Sequence, residues 1–78
     1  MKLEIITPDK NLYNGEVSLI QLPGIDGSFE ILEHHAPMIS ALSKGKIRVV
    51  DMERETHYFE IEGGVVEVQL REVLILLD

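Results

Sequence analysis

The run His57-Tyr58-Phe59-Glu60-Ile61-Glu62-Gly63-Gly64 decides the fold. Ring and aliphatic side chains at 57, 59 and 61 alternate with Tyr58, Glu60 and Glu62, and the double glycine then breaks the run. A period of two places successive side chains on opposite faces of an extended strand, one face toward a core and the other toward water. Working outward, the same period recurs in Lys46-Ile47-Arg48-Val49 and in Lys2-Leu3-Glu4-Ile5. Turn-forming pairs at Asn14-Gly15, Pro23-Gly24, Asp26-Gly27, Lys44-Gly45 and Gly63-Gly64 divide the chain into short pieces rich in Val, Ile and Leu. That pattern is all-β.

Residues 17–22 and 73–77 are more continuously apolar, which suits strands covered on both sides or central in a sandwich. Only residues 33–43 have a helical look, with Met38, Ile39, Ala41 and Leu42 near helical spacing. Pro37, however, pushes the residue before it toward extended geometry, so the segment reads as a loop entering a short strand. No repeat, linker or low-complexity stretch interrupts residues 1–78. The expectation is one domain built as two antiparallel sheets packed face to face.

The chain has 78 residues, and a chain of this size buries only roughly 60% of its unfolded surface, too little for a large cleft between lobes. With no cysteine it has neither a disulfide framework nor thiolate metal ligands. No run approaches the ~20 apolar residues of a membrane helix, and residues 1–7 lack the apolar centre of a signal peptide. Fourteen acids against seven bases give a net charge of −7, which repels nucleic-acid phosphates and anionic lipid. Neither nucleic acid nor direct membrane insertion is expected.

Chemistry is scarce. His34-His35 beside Glu30 and Glu33 invites a metal reading, but adjacent strand side chains point to opposite faces. A cupin-like site needs a His-x-His pair, and that register puts Glu33 at the first histidine. Ser18, Ser28, Ser40, Ser43, Thr7 and Thr56 have no nucleophile-elbow context, and no phosphate-binding glycine loop is present. Glu53 with Glu55 and Glu60 with Glu62 read as solvated acids. Lys44, Lys46 and Arg48 form a basic stripe suited to a protein contact or to cross-strand ion pairs. No catalytic residue, cofactor site or metal site is expected.

Three ordered motifs carry a resemblance. Residues 23–38, Pro-Gly-Ile-Asp-Gly-Ser-Phe-Glu-Ile-Leu-Glu-His-His-Ala-Pro-Met, resemble the Gly-x-x-Gly-x-Phe/Leu-Gly-Ile/Val-Leu/Tyr-Pro-x-His-Ala-Pro-Leu signature of the epsilon subunits of F-type ATP synthases. Leu42-Ser43-Lys44-Gly45-Lys46-Ile47-Arg48-Val49 is similar to that family's Leu-x-x-Gly-x-Ile-x-Val. Gly63-Gly64-Val65-Val66-Glu67-Val68 is similar to its Gly-Gly-Phe/Ile-x-Glu-Val, and residues 3–8 fit its first strand.

The resemblance implies a sandwich of about ten short strands in a non-catalytic subunit of the central stalk. It would link the gamma subunit to the c ring and couple proton flow to ATP synthesis at the cytoplasmic face of a bacterial inner membrane. By the same resemblance Asp26, Gly27, Ser28 and Glu30 face the polar, basic loops of the c ring, while His35, Ala36, Pro37, Met38 and Ser40 face gamma. Met38 is the expected apolar anchor of the gamma contact. The alternative is a β-sandwich module for a small ligand or peptide, which would show a concave site with convergent polar groups.

Two positions depart from the signature: Glu30 stands where glycine is usual and Glu33 where proline is usual. If that glycine serves a positive φ, Glu30 is strained; if it only makes room, Glu30 points outward. The sequence ends at Asp78, where many members continue into a helical hairpin that restrains ATP hydrolysis and in some bacteria binds ATP.

Overall fold

The computed structural model describes all residues, Met1 to Asp78, and contains strands and turns without a helix. No helix is therefore long and apolar enough to cross a membrane. The strands are β1 (Lys2–Ile6), β2 (Asn11–Gly24), β3 (Gly27–Leu32), β4 (Met38–Leu42), β5 (Gly45–Asp51), β6 (Thr56–Ile61), β7 (Gly64–Val68) and β8 (Glu72–Leu77).

Strand β2 organises the molecule. Its first half pairs with β1, and its second half pairs with β3 on one side and β5 on the other. The chain thus forms one layer ordered β2 (first half), β1, β8, β7, β4 and a second ordered β3, β2 (second half), β5, β6. A single pairing of Gly24 with Leu42 joins the layers again at the far end. Between them lie Leu3, Ile5, Val17, Ile20, Leu22, Ile31, Leu42, Ile47, Val49, Ile61, Val66, Val68, Val73 and Ile75, all buried. Burial of such side chains is the main stabilising term for a sandwich of this size.

Three expectations need correction. There are eight strands rather than about ten, one of them the fourteen-residue β2 that serves both layers without a break. The sheets are not purely antiparallel, since β1 and β8 run parallel. Asn14-Gly15 makes no turn and lies inside β2. Asn14 and Gly15 pair there with Glu4 and Leu3 of β1. The turn between β1 and β2 is Thr7-Pro8-Asp9-Lys10, where the Thr7 hydroxyl accepts hydrogen bonds from the Asp9 and Lys10 amides at 3.3 and 3.0 Å.

A bulge explains the apolar run at 17–22. Pairing with β5 slips between Val17 and Leu19, so Val17, Ile20 and Leu22 all face inward although their spacing is not strictly two. The displaced Ser18 hydroxyl donates to the Val50 carbonyl at 3.3 Å. In β8 the other apolar run has a different cause. Val73 and Ile75 are in the core, whereas Leu76 is 43% exposed on the outer face. Nothing in this chain covers that face.

Candidate interaction surfaces

Strands β2 and β3 meet in a two-residue turn at Ile25-Asp26, closed by pairing of Gly24 with Gly27. Gly27 has φ 125°, a conformation that side chains disfavour, so the Asp-Gly pair is a local requirement of this turn. The tip is tied down from both sides. The Ile25 amide donates to the Ala41 carbonyl at 3.2 Å, and the Pro23 carbonyl accepts from the Ser43 amide at 2.8 Å and its hydroxyl at 3.2 Å. Asp26, Gly27 and Ser28 are exposed there. So is Ile25, at 63%, which sequence reasoning passed over; its signal was a large aliphatic residue inside a polar turn.

Glu30 lies two residues along from Ser28 and is exposed on the same face of β3. Its backbone is not left-handed, as only His34 and Arg54 among non-glycine residues are. The glycine of the signature is therefore replaced without strain. The Arg48 guanidinium reaches Glu30 at 3.6 Å and donates through Nε to the Gln21 side chain at 3.0 Å.

The second set lies at the opposite end of β4. After β3, His34 turns the chain with φ 65°, and the His35 amide donates back to the Leu32 carbonyl at 3.2 Å. The His35 ring donates through Nδ1 to the Ala36 carbonyl at 2.7 Å. No group of three metal-ligating side chains converges here or elsewhere in the chain. Ala36 and Pro37 are exposed. Met38 turns inward and packs on the core, Ser40 shares its side, and Ile39 points out, 72% exposed. Pro37, Met38, Ile39, Glu67, Val68 and Gln69 line a broad open depression of about 570 Å³. The five residues of β4 separate this depression from the hairpin tip by about 15 Å.

The departure at Glu33 also has a partner. Its carboxylate meets the Met1 ammonium, which lies 3.5 Å from Glu16 as well. That hydrogen bond holds the Glu33 pKa below the usual carboxylate range. Burial opposes charge on the amine, but the two glutamates outweigh it and raise its pKa.

The outer faces of the two layers differ in kind. On the β3–β2–β5–β6 layer, cross-strand neighbours Glu30, Gln21, Arg48 and Tyr58 form one polar row. Beside it Lys46 stands opposite Glu60 and 5.4 Å over the Tyr58 ring. Lys44 lies 3.8 Å from Glu62. The basic stripe is thus matched within its own face. On the other layer the register aligns Ala41, Val65, Leu76 and Ile6 in an apolar row. Next comes Ile39, Glu67, Leu74 and Glu4, and then Glu72, Lys2 and Glu16. This face grades from apolar to acidic.

The sequence profile of the family described as ATP synthase, Delta/Epsilon chain, beta-sandwich domain matches residues 1–78. The ATP synthase epsilon chain of Chlorobium limicola is 40% identical over 77 residues, covering 99% of this chain and 88% of the relative. That of Caulobacter vibrioides is 35% identical over 78 residues, with 100% and 90% covered. That of Protochlamydia amoebophila is 38% identical over 76 residues but only 52% of it is covered, so relatives of two lengths share this sandwich. Among solved structures, a chain of the Euglena gracilis mitochondrial ATP synthase superposes with TM-score 0.87 at 20% identity, over 96% of this chain and 48% of that one. A chain of the Tetrahymena thermophila mitochondrial ATP synthase central stalk and c-ring gives 0.80 at 20% identity, over 99% and 62%. These two establish likeness of fold. With the profile and the sequence relatives, they show that the chain belongs to the delta/epsilon-chain β-sandwich family of ATP synthases.

Proposed function

We propose that the chain is a non-catalytic rotor subunit of an F-type ATP synthase, seated in the central stalk between gamma and the c ring and coupling proton flow to ATP synthesis. The observation that carries this reading is the family match over residues 1–78. The geometry supports it, because the exposed hairpin tip and the segment entering β4, with Ala36, Pro37 and Ile39 exposed, lie at opposite ends of that strand, as suits a part held from two directions. Asp26, Gly27, Ser28 and Glu30, with Ile25 added, form the end assigned to the c ring. His35, Ala36, Pro37, Met38 and Ser40, with Ile39 added, form the end assigned to gamma. On this reading the subunit works on the cytoplasmic side of a bacterial inner membrane.

The three surface depressions are each lined by only six or seven side chains, and none is an enclosed cavity, which favours macromolecular contact over small-ligand capture. Co-purification tests the proposal. The affinity-tagged chain expressed in its own cell should retain gamma and c subunits through gentle washing. Recovery of the folded chain without either subunit would sink the stalk reading.

A further inference from the structure

The outer face of the β2–β1–β8–β7–β4 layer combines an exposed apolar row with an acidic border. Val65 is 39% exposed, Leu76 43% and Ile39 72%. Ala41 is exposed and Ile6 and Leu74 are half-buried beside them. Glu67, Glu4, Glu72 and Glu16 flank this row, with Lys2 and the Met1 ammonium, 3.5 Å from Glu16, as the cations among them. Counting these six groups, the border carries four negative charges and two positive, a net of −2. Lys2, Glu4, Glu67 and Glu72 also line a groove of about 100 Å³ with Leu74 at its side. The opposite outer face has an apolar row of its own, Leu32, Leu19 and Val50, but there Arg48 meets Glu30 and Lys44 meets Glu62, so it is the acidic border that sets this face apart.

We infer that this face is a docking surface for a basic amphipathic helix of another subunit. An apolar stripe on the helix would cover Val65, Leu74, Leu76 and Ile6, and a flanking lysine or arginine would enter the acidic groove. The apolar row crosses four strands, about 14 Å, which matches roughly ten residues of helix. An added strand fits less well, because it would run beside β4 along its edge and leave the row uncovered. The cation supplies what the border lacks, and a helix with an acidic flank would be repelled by it. The inference rests on the stalk-subunit reading and specifies the chemistry of one of that subunit's contacts.

The test uses synthetic helical peptides and the isotope-labelled chain. One peptide carries a leucine stripe flanked by lysines, a second the same stripe flanked by glutamates, and a third the lysines with serines in the stripe. The first should shift the amide signals of Val65, Glu67, Leu74 and Leu76, and the other two should bind at least about tenfold more weakly. Glu67→Lys and, separately, the exposed Glu72→Lys should each weaken the first peptide several-fold while the spectrum stays that of a folded chain. Equal binding of the lysine and glutamate peptides, signal changes confined to β3, β5 and β6, or no binding at all would overturn the inference. If gamma is still retained by the full chain in those cases, the stalk reading survives and only the helix-docking face is lost.

Discussion

Ile39 and Met38 are neighbours on β4, yet replacing them should have opposite consequences. Sequence resemblance nominates Met38 as the apolar anchor for gamma, but its side chain packs on the core and Ile39 is the one that projects. Fully burying an isoleucine contributes about 1.5–3 kcal/mol. With 72% of that surface still open in the free chain, covering it in a complex offers about 1–2 kcal/mol, or roughly 5- to 30-fold in affinity. Ile39→Ala should therefore weaken gamma binding by about that factor with little change in melting temperature, and Ile39→Asp should weaken it further by burying a charge. Met38→Ala should instead lower the stability of the free chain by about 1–3 kcal/mol, a side chain only partly buried losing less than the full core cost. Titration calorimetry against gamma, with thermal melts of each variant, separates the two. Unchanged affinity of Ile39→Asp would refute the placement of gamma on this end of β4.

Gly64→Ala adds a Cβ that collides with the Leu76 carbonyl oxygen and comes within 3.1 Å of the Leu77 Cα, so β7 and β8 must part; a loss of about 1–3 kcal/mol, read as a melting temperature lower by roughly 5–20 °C, is expected. Asp26→Lys at the exposed hairpin tip should reduce association with the c ring at low ionic strength and matter little at high salt, because rim charges are screened; a loss that persists in salt would mean the turn itself is damaged. Asp51 is hydrogen-bonded to the His57 ring at 2.9 Å and to the amides of Glu55 and Glu53, which hold its pKa below the usual carboxylate value. A depressed folded pKa contributes stability that is complete above about pH 5 and is lost as pH falls through the folded value. Urea midpoints of the native chain and Asp51→Asn should accordingly converge on acidification, and a gap that widens below pH 4 would contradict the sign.

Inward positions were legible because burial follows the strand period: Phe59 and Ile61, or Leu3 and Ile5, face the core as their alternation predicts, and His57, on the same side as Phe59, lies at its edge against Tyr13. Turns were read less evenly. Asp26-Gly27 and Gly63-Gly64 sit at strand ends, but Asn14-Gly15 has the same composition as a hairpin turn and runs straight through β2, paired with Glu4 and Leu3. No local rule distinguishes a glycine that bends the chain from one that continues a strand. The bulge at Ser18 and the parallel pairing of β1 with β8 depend on partners distant in sequence, so the pattern of either segment alone carries no trace of them. The same holds for Ile39 and Met38. Both are apolar, and only the register against Glu67 and Val68 shows which one turns outward.

That register bears on how a small sandwich can serve two partners. Because side chains alternate, a five-residue strand such as β4 can place Met38 and Leu42 in the core while Ile39 and Ala41 face out. An outward apolar residue adds little to folding and remains available for a contact. The exposed row on β4, β7, β8 and β1 is built in this way, with Leu42, Val66, Ile75 and Ile5 in the core next along the strand to Ala41, Val65, Leu76 and Ile6. A substitution on the row should thus leave folding nearly untouched while changing association, whereas one on its inward neighbours should do the reverse. The acidic border adds a second layer of control. It keeps an apolar face solvated before assembly, disfavours self-association through like charge, and admits a cationic partner. The opposite layer, where Arg48 meets Glu30 and Lys44 meets Glu62, carries no such acidic border. Direction of assembly is therefore written into the difference between the two faces, and it follows from which side of each strand the acids occupy rather than from the net charge of the chain.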